Sequence, residues 1–202
     1  AFIGELSLDA KLRAVSGVLP MIMAAKASGL SNIIVPLENV SEASLVKGVN
    51  IFGFGSLTET IEYLEGKREY DEQPVPVSSK AVFQSDIDFK DVQGQEALIE
   101  FVVIAAAGGH NMLMVGQPGC GKSMIAKRIP TILPGMSEEE ALEVTKIHSV
   151  AGILKHNDAL IQQRPFRAPH HNASTNSLIG GGHNAMPGEI SLSHNGVLFL
   201  DE

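Results

Sequence analysis

The segment at residues 116–123, Gly-Gln-Pro-Gly-Cys-Gly-Lys-Ser, constrains the fold of this chain more than any other. Its glycines let several backbone N–H groups turn toward one point, while Lys122 can reach outer phosphates and the Ser123 hydroxyl can hold Mg²⁺. The apolar residues 112–115 predict a strand before the loop, and the residues after it predict a helix whose N-terminus faces the phosphates. Because strand, loop and helix agree, the pattern indicates a nucleoside triphosphate site rather than a fortuitous glycine-rich turn. The predicted nucleotide contacts are Gly116, Gln117, Pro118, Gly119, Cys120, Gly121, Lys122, Ser123 and Met124.

An apolar run near the end of the chain leads into two carboxylates. Residues 196–200 read Gly-Val-Leu-Phe-Leu and are followed by Asp201 and Glu202. Alone, such a run is also typical of a strand that ends in solvent. Its occurrence together with the phosphate loop favours a Walker B strand.

Composition limits the classes of protein to consider. The 202 residues are 44% hydrophobic and 19% charged, which is typical of a globular protein with one large or two small domains. The net charge of −8 argues against a broad nucleic-acid surface, although a locally basic loop could still contact phosphates. No apolar stretch approaches the roughly 20 residues that cross a bilayer, so we expect no membrane partner. The single cysteine, Cys120, excludes an internal disulfide and fits a cytoplasmic setting.

The order of elements predicts two α/β domains joined by a linker. Residues 1–66 alternate short strands, predicted at residues 2–8, 11–15, 32–36 and 50–54, with helices. A capping box at Ser56 and Glu59 opens the last of these helices. Residues 67–86 are charged and then rich in Pro and Ser, without a sustained period, which indicates an extended linker. Residues 87–202 carry the phosphate loop, and within them residues 152–186 are predicted to be irregular. Because the chain starts inside a predicted strand and stops at Glu202, we expect a fragment of a longer protein.

Several longer segments closely resemble the magnesium-chelatase-like AAA+ ATPases of the YifB/ComM family, over essentially the whole chain. The P-loop is common to many ATPases, whereas Arg-Pro-Phe-Arg-Ala-Pro-His-His followed by a triple glycine is far more specific. The segments that carry the resemblance are residues 88–97, 116–123, 164–171, 177–182, 187–190 and 196–202. Membership implies a hexameric ring driven by ATP and Mg²⁺, with DNA branch migration in the competence proteins and metal insertion into a porphyrin in other relatives.

The first domain also resembles the second half of a Lon-protease-like, S5-like α/β domain. Residues 4–8, 12–17 and 24–29 follow the order of that domain. The position of the catalytic lysine falls on Leu19, so no amine is available to activate a serine nucleophile. The resemblance therefore implies a proteolytically inactive partial Lon-like domain, followed by the first half of a P-loop AAA+ domain.

The AAA+ resemblance assigns roles to individual residues. Asp201 would complete the Mg²⁺ shell with Ser123, Lys122 would stabilise the outer phosphates, and Glu202 would polarise the attacking water. Val92 would support the adenine, although an ordinary loop that leads into a helix explains it almost as well.

Three further segments leave alternatives open. For His170 and His171 a structural or inter-subunit loop role is favoured over metal binding, because neighbouring side chains are expected to point apart and so rarely share one ion. Residues 180–182 form either a flexible linker or a mobile pore loop. Residues 193–196 allow a hairpin or the end of a short helix, and the resemblance favours the helix.

The resulting functional hypothesis is ATP hydrolysis coupled to the remodelling of DNA in the full-length protein. One alternative is a motor that acts on a protein or a chelatase complex. Another is a nucleotide-gated assembly module without turnover. The residues that complete an AAA+ site would lie beyond Glu202, so we expect the chain by itself to be inactive.

Overall fold

The computed structural model describes residues 1–71, 87–154, 160–182 and 185–201. Helices and strands are mixed in them, which confirms the predicted α/β class. The chain divides into two compact units. The first contains the described residues within 1–80 and 142–161, and the second those within 81–141 and 162–202. The domain bounds at residues 66 and 87 stay a prediction, and most of the predicted linker lies outside the described residues.

The first unit is built around two parallel strands and a helix. Its strands are β1 (Glu5–Leu6), β2 (Leu12–Arg13), β3 (Asn32–Pro36) and β4 (Asn50–Phe54), and its helices are α1 (Val18–Ala27), α2 (Val40–Ala43) and α3 (Leu57–Leu64). β3 pairs in parallel with β4, with Ile33 opposite Ile51, at the bounds predicted from the sequence. Four of the five β3 residues are buried, as expected for a parallel strand covered on both faces.

The core of this unit lies between α1, β3 and α2. Its buried members are Val18, Leu19, Ile22, Ile33, Val35, Val40, Ala43 and Val46. Leu142 packs against this cluster, so a segment distant in sequence contributes to the first unit. The side chain of Leu19, at the position where the Lon resemblance places a lysine, is fully buried.

The two strands predicted at residues 2–8 and 11–15 are shorter than expected. β1 and β2 pair antiparallel only beside their connecting turn. Beyond these residues the two segments have other partners: Phe2 forms a parallel bridge to Ile34, and the Val15 N–H donates to the Asn39 Oδ1 at 3.1 Å.

The second unit carries the phosphate loop. It contains a 3-10 turn (Phe89–Asp91), α4 (Glu96–Gly108), α5 (Lys122–Ile132), the start of α6 (Glu138–Val150), β5 (Phe166–Arg167), α7 (Thr175–Ile179), β6 (Gly180–Gly181), β7 (Met186–Pro187), α8 (Glu189–Leu192) and β8 (Val197–Leu198). β5 pairs in parallel with β8, and β6 pairs antiparallel with β7. The short helix favoured before the apolar run at residues 196–200 is confirmed as α8.

Two local predictions for this unit are wrong. Residues 112–115 form no strand, because no other described residue pairs with their backbone, and the side chains of Leu113 and Val115 are 87% and 88% exposed. The stretch at 152–186, expected to be irregular, contains β5, α7 and β6. Whether residues 112–115 and β5 form strands depends on pairing with distant residues, which local sequence patterns do not contain. Helix α7 is capped locally, because the Ser174 hydroxyl accepts the Ser177 N–H at 3.1 Å.

Candidate nucleotide-binding site

The phosphate loop at residues 116–123 adopts a conformation that its glycines make possible. Gly119 and Gly121 have φ values of 81° and 91°, in the left-handed region that favours glycine. A Cβ on Gly116 would lie 2.8 Å from the Cys120 Sγ, so a larger residue there requires the Cys120 side chain or the loop to shift. Gly119 and Gly121 are therefore the loop glycines whose backbone conformation other residues rarely adopt.

Lys122 is folded back over the loop that precedes it. Its Nζ donates to the carbonyls of Gly116 at 2.8 Å and Gln117 at 3.2 Å, and it lies 3.8 Å from the Cys120 Sγ. The ammonium group thus lies beside the backbone of residues 116–120. A lysine in this place adds positive charge at the start of α5.

Helix α5 starts directly at the loop. Gly121 occupies the N-cap and provides no side-chain acceptor, while the Ile125 N–H donates to the Gly121 carbonyl at 3.0 Å. The first N–H groups of a helix lack partners within the helix and carry a partial positive charge, which favours an anion. Buried Ile125 and Ala126 anchor the helix in the unit.

The predicted magnesium ligands lie close together. The Ser123 Oγ donates to the Asp201 Oδ2 at 3.4 Å, although 78 positions separate the two residues. The pairing of β8 with β5, extended by the Phe199 N–H bonded to the Arg167 carbonyl at 2.8 Å, leads the chain to this position. One hydroxyl and one carboxylate oxygen fit the preference of Mg²⁺ for few protein ligands beside phosphates and water. Glu202, predicted to polarise water, lies outside the described residues.

Val92, the predicted adenine contact, follows a short closed turn. The side chains of Asp88 and Asp91 form a reciprocal capping box around the 3-10 turn, and the Val92 N–H donates to the Phe89 carbonyl at 3.0 Å. Val92 is 8% exposed. The Asp88 N–H, and then Arg128, hold the pKa of the Asp91 carboxyl below its usual value.

Sequence reasoning missed two residues that fasten this part of the unit. Arg128 on α5 binds the Asp88 carbonyl and the Asp91 carboxylate. Gln95, whose φ is 58°, donates from its side-chain amide to the Cys120 carbonyl at 3.3 Å. A local pattern does not identify either residue, because their partners lie 25 to 40 positions away.

The arginines of the specific motif at residues 164–171 both bind within the unit. Arg164 donates to the carbonyls of Pro134 and Asn195, each at 2.7 Å, and to both Glu140 carboxylate oxygens at 3.3 Å. Arg167 on β5 makes a bidentate pair with Glu189 on α8, at 2.5 and 2.7 Å. The Arg167 guanidinium lowers the pKa of Glu189, and Glu189 in turn raises the pKa of Arg167. These two side chains hold together segments that are distant in sequence.

The paired histidines differ from the expected arrangement. The rings of His170 and His171 have their centroids 4.1 Å apart, so the expectation that adjacent side chains point apart is wrong here. The Asn172 N–H donates to the His170 Nδ1 at 3.2 Å. In the described part of the chain no three His, Cys, Asp or Glu side chains form a potential metal site.

The glycine run at residues 180–182 lies partly in a ribbon. Gly180 and Gly181 form β6 opposite Met186 and Pro187, and a Cβ on Gly180 would lie 2.6 Å from the Gly188 nitrogen. Close backbone approach therefore explains Gly180 better than a flexible linker does. A pore-contact role remains a prediction.

Two known protein families match different parts of this chain, and several known proteins match nearly all of it. Residues 88–202 match the family described as magnesium chelatase, subunit ChlI, and residues 1–39 match the one described as subunit ChlI of Mg-chelatase. An uncharacterized protein of Mycobacterium tuberculosis is 45% identical over 201 residues, which are 99% of this chain and 40% of the relative.

Two named relatives match over the same length. The competence protein ComM of Haemophilus influenzae is 41% identical over 211 residues, covering 100% of this chain and 40% of ComM. The uncharacterized protein YifB of Escherichia coli is 43% identical over 205 residues, covering 99% and 39%. The predicted resemblance to the YifB/ComM family is confirmed, and the chain spans about two fifths of the length of these relatives.

A shorter match concerns a protease. An archaeal Lon protease of Halobacterium salinarum is 36% identical over 81 residues, which are 40% of this chain and 10% of the protease. This similarity is compatible with the Lon-like resemblance of the first domain. Separately, none of the helices in the described residues has the length and apolar character needed to span a membrane.

Proposed function

Because this chain belongs to the magnesium-chelatase subunit ChlI family, we propose that it binds ATP with Mg²⁺ and that the full-length protein hydrolyses ATP as an AAA+ enzyme. One observation carries the proposal: the Ser123 hydroxyl, at the open start of α5, lies 3.4 Å from the Asp201 carboxylate. The two groups come from the two motifs that an ATPase requires and lie where both can serve one ion.

The residues divide the work of binding and reaction. The loop N–H groups and Lys122 hold the phosphates, with Lys122 exchanging its carbonyl partners for phosphate oxygens. Ser123 and Asp201 hold Mg²⁺, which neutralises charge on the outer phosphates when bound. Glu202 orients and polarises the attacking water. Val92 provides an apolar contact for the adenine.

The phosphate site is tested by removing its cation. We expect Lys122→Ala to weaken ATP binding about 100-fold, because a charge-assisted contact with phosphate contributes roughly 2–3 kcal/mol. Lys127→Ala, at an exposed position of the same helix, is the matched control and should leave affinity unchanged. Calorimetric titration of the full-length protein gives both values. Equal affinity for Lys122→Ala and Lys127→Ala would refute the phosphate site.

Hydrolysis is tested separately from binding. We expect Glu202→Gln in the full-length protein to keep ATP affinity and to lose turnover, because the amide preserves shape but cannot act as a base. Release of phosphate, measured in the same preparation as binding, distinguishes the two effects. Normal turnover would assign the base to another residue. It would leave the binding proposal intact.

We propose DNA as the substrate of a hexameric ring formed by the full-length protein, with branch migration as its activity. The support is the relative named as a competence protein. The net charge of −8 argues against a broad nucleic-acid surface on this part of the molecule, so a protein or chelatase complex is the alternative substrate. ATP hydrolysis should be compared with single-stranded, forked and duplex DNA and with a protein control. Stimulation by forked DNA alone would support remodelling of DNA.

The proposed domain arrangement is an inactive Lon-like domain at residues 1–66, a linker at 67–86 and the first part of an AAA+ domain from residue 87, in a cytoplasmic protein. Burial of Leu19 at the lysine position supports the absence of peptidase chemistry. Cleavage of casein that persists in Lys122→Ala and is blocked by a serine-reactive reagent would contradict it.

A further inference from the structure

Arg128 is a nearly buried cation that joins two parts of the second unit. Its side chain is 12% exposed. The guanidinium donates to the Asp88 carbonyl at 2.8 Å, to the Asp91 Oδ2 at 3.2 Å and, within α5, to the Met124 carbonyl at 3.1 Å. A planar guanidinium presents its donors in a rigid fork that fixes the relative positions of its acceptors, whereas an ammonium group presents three rotatable donors from one nitrogen.

The segment that Arg128 holds is closed by its own hydrogen bonds. The Asp88 N–H donates to the Asp91 Oδ2 at 3.0 Å, and the Lys90 N–H donates to the Asp88 Oδ1 at 3.2 Å. The Asp91 Oδ2 therefore accepts from both the turn and Arg128. Buried Val92 follows immediately, so its position relative to α5 depends on this connection.

A second contact joins the same segment to the phosphate loop. The Gln95 amide donates to the Cys120 carbonyl at 3.3 Å. The segment at residues 88–95 is thus fastened to α5 by Arg128 and to the loop by Gln95. These two side chains therefore connect the segment that carries Val92 to the phosphate loop and to α5.

We propose that Arg128 is a positioning residue for the nucleobase, which holds Val92 at a fixed distance from the phosphate loop and so determines the part of ATP affinity that the base contributes. The proposal rests on the proposed nucleotide site. The proposal predicts different effects on two ligands. ATP contacts both Val92 and the phosphate loop, whereas inorganic tripolyphosphate contacts only the loop.

The experiment compares both ligands on the full-length protein, each with Mg²⁺, by calorimetry or by displacement of a fluorescent nucleotide. We expect Arg128→Ala to weaken ATP about tenfold, the size of one lost charge-assisted hydrogen bond, and tripolyphosphate less than twofold. Arg128→Lys should be intermediate for ATP, because it keeps the charge and loses the planar group. Lys127→Ala is the matched control, and Lys122→Ala should weaken both ligands.

A second variant tests the same role in case the Arg128→Ala protein does not fold. Asp91 is 40% exposed, so Asp91→Ala should be tolerated and should weaken ATP about threefold without affecting tripolyphosphate. Equal losses for both ligands, or unchanged ATP affinity in Arg128→Ala and Asp91→Ala, would overturn the positioning role. If Lys122→Ala changes neither ligand, the proposed nucleotide site itself fails and the inference falls with it.

Discussion

Helices α1 and α5 begin with the same local backbone structure, but their first N–H groups have different surroundings. Each follows a glycine in the left-handed region, Gly17 with φ 76° and Gly121 with φ 91°, and neither glycine provides a side-chain cap. At α1 the Glu42 carboxylate accepts the Leu19 N–H at 2.8 Å and also the Ser149 hydroxyl. At α5 none of the described residues supplies a side-chain N-cap, and Lys122 adds a positive charge.

The difference lies in which group satisfies the helix N-terminus. The positive end of a helix favours a negative charge, and at α1 the protein provides its own carboxylate. Leu19 and Ser149 are buried there, so the position is closed. At α5 the exposed loop leaves room for an external anion. A glycine turn followed by a helix is therefore not a phosphate site unless its first N–H groups are free.

The largest expected effect comes from removing the carboxylate that satisfies the N-terminus of α1. Glu42→Ala leaves the Leu19 N–H and the Ser149 hydroxyl without their acceptor, so we expect the free energy of unfolding to fall by about 2–3 kcal/mol. Tyrosine fluorescence during urea unfolding measures it, because the chain has no tryptophan and both tyrosines, Tyr63 and Tyr70, lie in the first unit.

The control for Glu42→Ala is Glu69→Ala, at an exposed position of the same unit, which should change stability by less than about 0.5 kcal/mol. ATP affinity should stay unchanged in both. Equal stability of the two variants would mean that the carboxylate does not satisfy the α1 start, and the comparison with α5 would lose its basis.

An effect of intermediate size is expected when Gly17 or Gly121 is replaced, and it differs between the two positions. Gly17→Ala and Gly121→Ala each force an alanine into the left-handed region, so each should cost about 1–2 kcal/mol of stability. The added Cβ meets no atom closer than 3.9 Å at Gly17 and 3.5 Å at Gly121, so backbone strain is the cause at both. Only Gly121→Ala should also weaken ATP, measured by calorimetry.

Gly66→Ala is the control for backbone strain, since Gly66 has φ 72° and an added Cβ would have no neighbour within 4 Å. It should lower stability by a similar amount without affecting ATP. Loss of ATP affinity in Gly17→Ala would show that the α1 start also influences the nucleotide. The closed and open helix starts would then not be independent.

The features predicted correctly from the sequence are those with local causes. β3 and β4 have their predicted bounds, because each is a short apolar run between turn residues. The loop at residues 116–123 could be proposed as a phosphate site because its functional groups are adjacent in sequence, and that role remains a prediction. Residues 112–115 were not predicted correctly, because a strand needs a paired neighbour as well as apolar residues.

Two charged residues show what local patterns cannot reveal. Glu42 binds Ser149 across 107 positions, and Arg128 binds the Asp88 carbonyl across 40. By sequence alone each is indistinguishable from a solvated charge on a helix. The proximity of Ser123 to Asp201 was expected because a known motif pair links them, and their role in binding Mg²⁺ remains a proposal.

The smallest expected effect concerns the start of a third helix, α8, where the carboxylate in the first turn is paired with an arginine. Glu189 lies in the first turn of α8, and Arg167 lowers its pKa from the ordinary 4.5. A lowered folded-state pKa means that the stabilisation is present above pH 4.5 and is lost as the pH falls through the lower value. The contribution should be at most about 1 kcal/mol, because the side chains of Arg167 and Glu189 are 33% and 19% exposed.

Hydrogen exchange of residues 186–199 between pH 6 and about pH 3, corrected for intrinsic rates, should show protection decreasing in acid. Glu189→Gln should reduce this pH dependence, whereas Glu96→Gln, at the exposed start of α4, should keep it. An unchanged pH dependence in Glu189→Gln would show that the pair with Arg167 does not stabilise α8.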